Sequence, residues 1–257
     1  MEKATAVSNK EKAVALLKSL ETRDSYPVSH INPKKYIQHN LMVEDGLAGL
    51  QKLTQWLPPD TKVNVVRAFE DGDFVFVHAE YNFGGPIVGF DVFRFEEGKM
   101  VEHWDNLQKR EAPNPSGHSM TDGATEISDR NNTEANKTLA RSIVDDVLVN
   151  GKVDKLAGYF NGDDYVQHNP WFADKVSGLM KGLAELAKQG IVMKYSAIHR
   201  VLGEGNFVLV ISEGHLKGVH SGFYDLFRIE NGKIAEHWDT IEEIPAEEKH
   251  KNSNGKF

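Results

Sequence analysis

Asp91-Val92-Phe93-Arg94-Phe95-Glu96-Glu97-Gly98-Lys99-Met100-Val101-Glu102-His103-Trp104-Asp105 occurs twice in this chain. The second copy reads Asp225-Leu226-Phe227-Arg228-Ile229-Glu230-Asn231-Gly232-Lys233-Ile234-Ala235-Glu236-His237-Trp238-Asp239, with each residue 134 positions after its counterpart (Asp91 and Asp225, Asp105 and Asp239). Each copy has the pattern of two strands joined by a tight turn, Glu-Gly in one and Asn-Gly in the other. Solenoid units recur every 20 to 50 residues or so, so a period this long indicates a whole duplicated domain.

The rest of each half follows the same plan. Ser8-Asn9-Lys10-Glu11 has the spacing of a capping box, and Ala13, Leu16, Leu17 and Leu20 then mark one helical face. The matching helix in the second half carries Leu139, Ile143, Val144 and Val147 and ends at Asn150-Gly151, a left-handed stop. Tyr36-Ile37-Gln38-His39-Asn40 is echoed as Tyr165-Val166-Gln167-His168-Asn169. A second helix follows each pentad, over 46–57 and 177–188, and each half then turns to strands. Helices first and an antiparallel meander after them make an α+β layout in each of two tandem domains. The expected domains are residues 1–123 and 124–257, with the Pro-, Asn- and Ser-rich run 111–134 as linker and 252–257 as a polar tail.

Composition narrows the function. A length of 257 residues with 40% hydrophobic content fits two folded domains. The net charge of −8 argues against nucleic-acid or anionic-membrane partners, which call for a basic face. With no cysteine, disulfides, zinc–thiolate sites and thiol nucleophiles are excluded. The N-terminal ten residues have no apolar core of the kind a signal peptide needs, and no apolar run approaches a membrane span, so a cytoplasmic protein is expected.

Alternation along the last strand puts His103 and Asp105 on one face and Glu102 and Trp104 on the other. His237 and Asp239 are likewise set against Glu236 and Trp238. A carboxylate in an enclosed apolar pocket can serve as a general base. The alternative is a structural aspartate that ends a strand or caps a turn. Within the pentads, His39 and His168 are candidates for pocket-rim contacts to a substrate carbonyl, or for bonding a loop backbone. His78 occupies a strand position that holds Ile211 in the second copy. Arg94 and Arg228 are placed to pair with Glu102 and Glu236 across the hairpin. No His-x₃-His or His-Glu-x-x-His spacing occurs, so a metal is not expected. No phosphate-binding glycine motif follows a strand.

Taken together, the Tyr-x-Gln-His-Asn pentad and the Gly-Lys-x-x-Glu-His-Trp-Asp ending resemble the SnoaL-like polyketide cyclase family, closest to the branch described as predicted aldol-condensation enzymes. The resemblance spans nearly the whole chain, twice. It implies the nuclear transport factor 2-like fold, a cone of helices closed over a curved sheet around a pocket. It further implies a pseudo-dimer within one chain, with further homodimerisation possible, and cofactor-free chemistry. A pocket aspartate would remove an α-proton from a small hydrophobic carbonyl substrate, as in a lyase or isomerase. That role would fall to Asp105 and Asp239, supported by His103 and His237. Tyr36, His39, Asn40, His78 and Gln108 would bind substrate in the first copy, and Tyr165, His168 and Asn169 in the second. The second copy has Ile211 and Glu242 where the first has His78 and Gln108, which puts its activity in doubt. The rival readings are a non-catalytic small-molecule binder of the same fold and a protein whose main role is assembly through its sheets.

Overall fold

The computed structural model describes residues 7–257. Of the N-terminal stretch read above for its lack of an apolar core, residues 1–6 lie outside the described residues. Helix α1 (Asn9–Thr22) starts with the full capping box: Ser8 Oγ accepts from the Glu11 N–H at 3.2 Å, and Glu11 Oε2 accepts from the Ser8 N–H at 2.7 Å. Its buried face is Ala13, Leu16, Leu17 and Leu20. After it come β1 (Ile37–Gln38), α2 (Gly46–Trp56), β2 (Lys62–Asp71), β3 (Phe74–Asn82), β4 (Pro86–Glu96) and β5 (Lys99–Lys109). The second set is α3 (Thr133–Ile143), β6 (Val166–Gln167), α4 (Val176–Lys188), β7 (Met193–Glu204), β8 (Phe207–Leu216), β9 (Val219–Glu230) and β10 (Lys233–Glu243). Helix α3 runs on through a π-helical turn, Val144–Val149, and Gly151 stops it at φ 66°.

Two five-stranded sheets result, ordered β1-β5-β4-β3-β2 and β6-β10-β9-β8-β7. The fold is α+β, twice. The two-residue strands β1 and β6 run parallel to the last strands, which sets Gln38 beside His103 and Gln167 beside His237. The other pairings are antiparallel. Both turn residues of each quoted hairpin have positive φ, 50° and 72° at Glu97-Gly98 and 51° and 69° at Asn231-Gly232. That is the type I′ geometry whose twist suits a two-residue hairpin, and it is why glycine holds the second position.

The compact units are Met1–Asp105 with Pro245–Phe257, and Asn106–Ile244. This differs from the division expected after residue 123. The linker segment docks on the second unit, where Asn114 Nδ2 donates to Gln167 O at 2.6 Å and Trp238 Nε1 donates to Asp122 O at 2.8 Å. The tail docks on the first unit, where Asn254 Nδ2 donates to Gln38 O at 3.0 Å and the Lys251 N–H donates to Leu41 O at 2.8 Å. The physical reason is the same in both places. A two-residue edge strand leaves carbonyls that the sheet does not satisfy, and the Asn114 and Asn254 amides donate to those of Gln167 and Gln38.

Candidate active site

The second unit shows the site most fully. Strand β10 carries His237 and Asp239 on one face, and β9 sets Asp225 directly opposite Asp239. One oxygen of each carboxylate and a ring nitrogen of His237 lie within 4.8 Å of one another. They border a cavity of about 70 Å³ whose other walls include Val147, Leu183, Met193 and Phe227. At roughly 10–15 Å³ of occupied volume per water, there is space for about five water-sized groups.

The protonation of His237 follows from its neighbours. Gln167 Oε1 accepts from the backbone N–H groups of His168 and Asn169, both at 2.9 Å, so the amide orientation is fixed. His237 Nδ1 lies 2.9 Å from that same oxygen and must donate to it. Nε2 lies 3.0 Å from Asp225 Oδ1, and the Tyr195 hydroxyl also donates to Asp225. Both ring nitrogens therefore face acceptors, the arrangement of an imidazolium. Burial opposes the charge on His237, but the Asp225 hydrogen bond and the negative charges of Asp239 and Asp225 outweigh burial and hold its pKa above the ordinary histidine range.

Asp239 is the carboxylate without a hydroxyl or imidazole partner. Asn169 Nδ2 donates to its two oxygens at 3.0 and 2.8 Å. Burial pushes its pKa up to about 6, with Asp225 adding to the rise and His237 and Asn169 resisting it. Tyr165 completes the polar set. Its phenolic oxygen accepts from Gln167 Nε2 at 2.9 Å, which leaves the O–H for a ligand in the cavity it lines. Burial and the charge of Asp239 hold that phenol far above its usual pKa, so it stays a donor.

The first unit repeats the construction. His103 Nδ1 meets Gln38 Oε1 at 3.0 Å, Nε2 meets Asp91 Oδ1 at 3.0 Å, and Tyr81 donates to Asp91. Burial raises the pKa of Asp91 against the pull of His103. Asn40 Nδ2 donates to Asp105 Oδ2 at 2.7 Å, and Tyr36 is buried nearby with its phenol pushed up by burial and by Asp91 and Asp105. One difference stands out: Lys256 Nζ lies 3.7 Å from Asp105 Oδ1, and both side chains are buried.

Other expected site residues lie elsewhere. His39 and His168 are not on the pocket face. They stack on Trp104 and Trp238, with ring centroids 4.6 and 4.7 Å apart, and each bonds through Nε2 to Glu102 or Glu236 at 2.9 Å. Alternation explains this: Gln38 and Asn40 point toward the pocket, so His39 between them points away. Arg94 and Arg228 hold the same glutamates at 2.7 Å, the cross-hairpin pairing expected from the sequence. His78 also faces away from Asp91, stacked on Phe90 and bonded through Nδ1 to Arg67 at 2.7 Å. Gln108 accepts from the Ile241 N–H at 2.8 Å, a backbone role in place of the substrate role expected of it.

Sequence reasoning missed Asp91, Asp225, Gln38 and Gln167. The signal was present for the aspartates, since each opens the repeated stretch and shares the parity of its histidine across the hairpin. Tyr81 and Tyr195 were beyond reach because they are not equivalent positions. The cross-strand pair is Val63–Tyr81 in one unit and Tyr195–Gly214 in the other. The tyrosine has changed strands and kept its aspartate.

Residues 140–237 match a family model described as a SnoaL-like domain. The second unit is a SnoaL-like domain. The first unit, outside those residues, repeats the same strand order. Solved structures resemble about two fifths of the chain. A nuclear transport factor 2-like protein of unknown function from Cytophaga hutchinsonii is 15% identical, with 41% of this chain and 95% of that one covered and a TM-score of 0.36. IdmH from Streptomyces antibioticus is 15% identical over 39% of this chain and 92% of its own, TM-score 0.34. TsrD from Streptomyces laurentii is 18% identical over 41% and 92%, TM-score 0.35. No curated protein matches the chain. Among the described residues no helix is long and apolar enough to cross a membrane.

Proposed function

We propose that the SnoaL-like domain of the second unit abstracts a proton α to the carbonyl of a small, compact substrate, and that Asp239 is the base. A single observation carries the reading: Asp239 is a buried carboxylate with its pKa pushed up to about 6, bordering a small and largely apolar cavity. A base is most effective when its pKa lies near the working pH. At pH 7 Asp239 is mostly ionised yet basic enough to accept a carbon-bound proton.

The proton moves from the α-carbon to Asp239, and the electron pair of the broken C–H bond becomes the enolate. Tyr165 O–H donates to the enolate oxygen. His237, locked between Gln167 and Asp225, supplies a fixed positive charge close by without leaving its partners. Return of the proton to another carbon gives an isomerase, and attack of the enolate on a second carbonyl gives aldol-type closure. The size of the cavity favours small ketones, aldehydes or keto acids.

The test is exchange of α-protons for deuterium across a panel of such compounds, followed by NMR. A responsive compound should lose its exchange in Asp239→Asn and keep it in Asp105→Asn. Equal exchange in Asp239→Asn and the parent would overturn the assignment. A cavity that binds such compounds without exchanging them in the parent would favour the binding-module reading instead.

A further inference from the structure

Behind Trp238, on the face away from the cavity, lies a second cluster: His118, Asp122 and His168. Its ligand-type atoms, one per residue, all lie within 4.8 Å of one another. His168 Nδ1 lies 2.7 Å from Asp122 Oδ1, and His118 Nδ1 lies 3.6 Å from Asp122 Oδ2. Both imidazoles thus aim Nδ1 at one carboxylate. The Ser119 carbonyl oxygen is 2.9 Å from His168 Nδ1.

The far side of each ring is also settled. His168 Nε2 is 2.9 Å from Glu236 Oε1, whose other oxygen is held by Arg228. His118 Nε2 is 3.2 Å from Asp174 Oδ2. A carboxylate on Nε2 is the outer-shell arrangement of histidine–metal sites. Without an ion the Nδ1 of His168 faces two acceptors and carries a proton, which a bound ion would displace. The loop is built to come close. Gly123 has φ 89°, and a Cβ there would fall 2.1 Å from Glu236 Oε1 and 2.9 Å from His168 Nε2. Among the described residues the first unit shows no such set at the equivalent place: His39 Nδ1 meets the Gly255 carbonyl, at 2.8 Å.

We propose that the second unit binds a divalent transition-metal ion, with zinc the best fit, through His118 Nδ1, His168 Nδ1 and the Asp122 carboxylate. Two imidazoles and a carboxylate suit zinc, and the donors already bracket tetrahedral spacing, roughly 3.4 Å between ligand atoms: the His168–Asp122 pair would open from 2.7 Å and the wider pairs would close. The ion would tie the segment 118–123 to the residue that follows Gln167, and so hold the backbone N–H that orients Gln167. The rival is a metal-free ion pair in which His168 carries two protons between Asp122 and Glu236.

Calorimetric titration of the metal-stripped full chain with zinc chloride, and with cobalt chloride followed by visible absorption, separates the two. Expected are one ion per chain and the strong visible bands of tetrahedral cobalt. Affinity should fall at least about a hundredfold in His118→Ala and in Asp122→Asn, with the circular dichroism of both unchanged. Both substitutions are at partly exposed side chains, so folding is not at stake. Absence of binding in the parent, or undiminished binding in both variants, would overturn the proposal.

Discussion

Asp105 and Asp239 occupy the same place in the two units, but they have different company. Asp105 has the ammonium of Lys256 3.7 Å away, brought by the segment that follows β10. Asp239, among the described residues, is met by the amide of Asn169 and by the charges of Asp225 and His237, with no lysine. The repeat therefore builds two similar clusters of two aspartates and a histidine, and segments outside the repeat make them different. A counter-ion balances one carboxylate, whereas burial leaves the other eager for a proton. From this we propose the second unit as the chemical site, against the expectation raised by the Ile211 and Glu242 replacements. Those replaced positions, His78 and Gln108, lie off the pocket face in the first copy, so their loss does not bear on Asp239.

The largest expected effect is on turnover. Asp239→Asn should lower proton exchange by about 10² to 10⁴-fold, the usual worth of a general base, while Asp105→Asn stays within about tenfold of the parent. Steady-state rates of the two variants on one responsive compound decide this. The same substitution should move stability the other way. The folded pKa of Asp239, about 6, is above its ordinary value of 3.8, so the native state binds this proton more tightly than the unfolded chain. Keeping the side chain ionised therefore weakens the fold above pH 6, by about 3 kcal/mol, and the penalty fades as pH falls toward 4. Asp239→Asn should accordingly be more stable than the parent at pH 8, with the gap closing near pH 4 in denaturant titrations.

Smaller effects sharpen the contrast. Tyr165→Phe should reduce exchange by about ten- to a hundredfold through loss of the enolate donor, whereas Tyr36→Phe leaves the rate unchanged. Lys256→Met should destabilise the first unit by about 2 kcal/mol, since it strands a buried carboxylate, with exchange unaffected. Unfolding curves of that variant at neutral pH provide the check.

Much of this was legible before any coordinates. The Glu-Gly and Asn-Gly turns fixed the hairpins, and alternation put His103 beside Asp105 and His237 beside Asp239. What failed was nonlocal. The pentads read as a rim because nothing in them shows that Gln38 will lie against His103, or that His39 will then turn outward onto Trp104. The runs around residues 114 and 254 read as loop and tail because asparagine, proline and glycine report local conformation and not the carbonyls they will find. The exchange of Tyr81 for Tyr195 is invisible to a repeat alignment, since Tyr81 sits on the second long strand of its sheet and Tyr195 on the first of its own, and each meets the equivalent aspartate, Asp91 or Asp225.

The central claim is that Asp239 is a base tuned by burial, and its own titration tests that most directly. Carbon-13 NMR of the aspartate carboxyl groups, with Asp239→Asn used to assign the resonance, should show Asp239 titrating with a midpoint near pH 6. A midpoint at the ordinary aspartate value, about 4, would contradict the account.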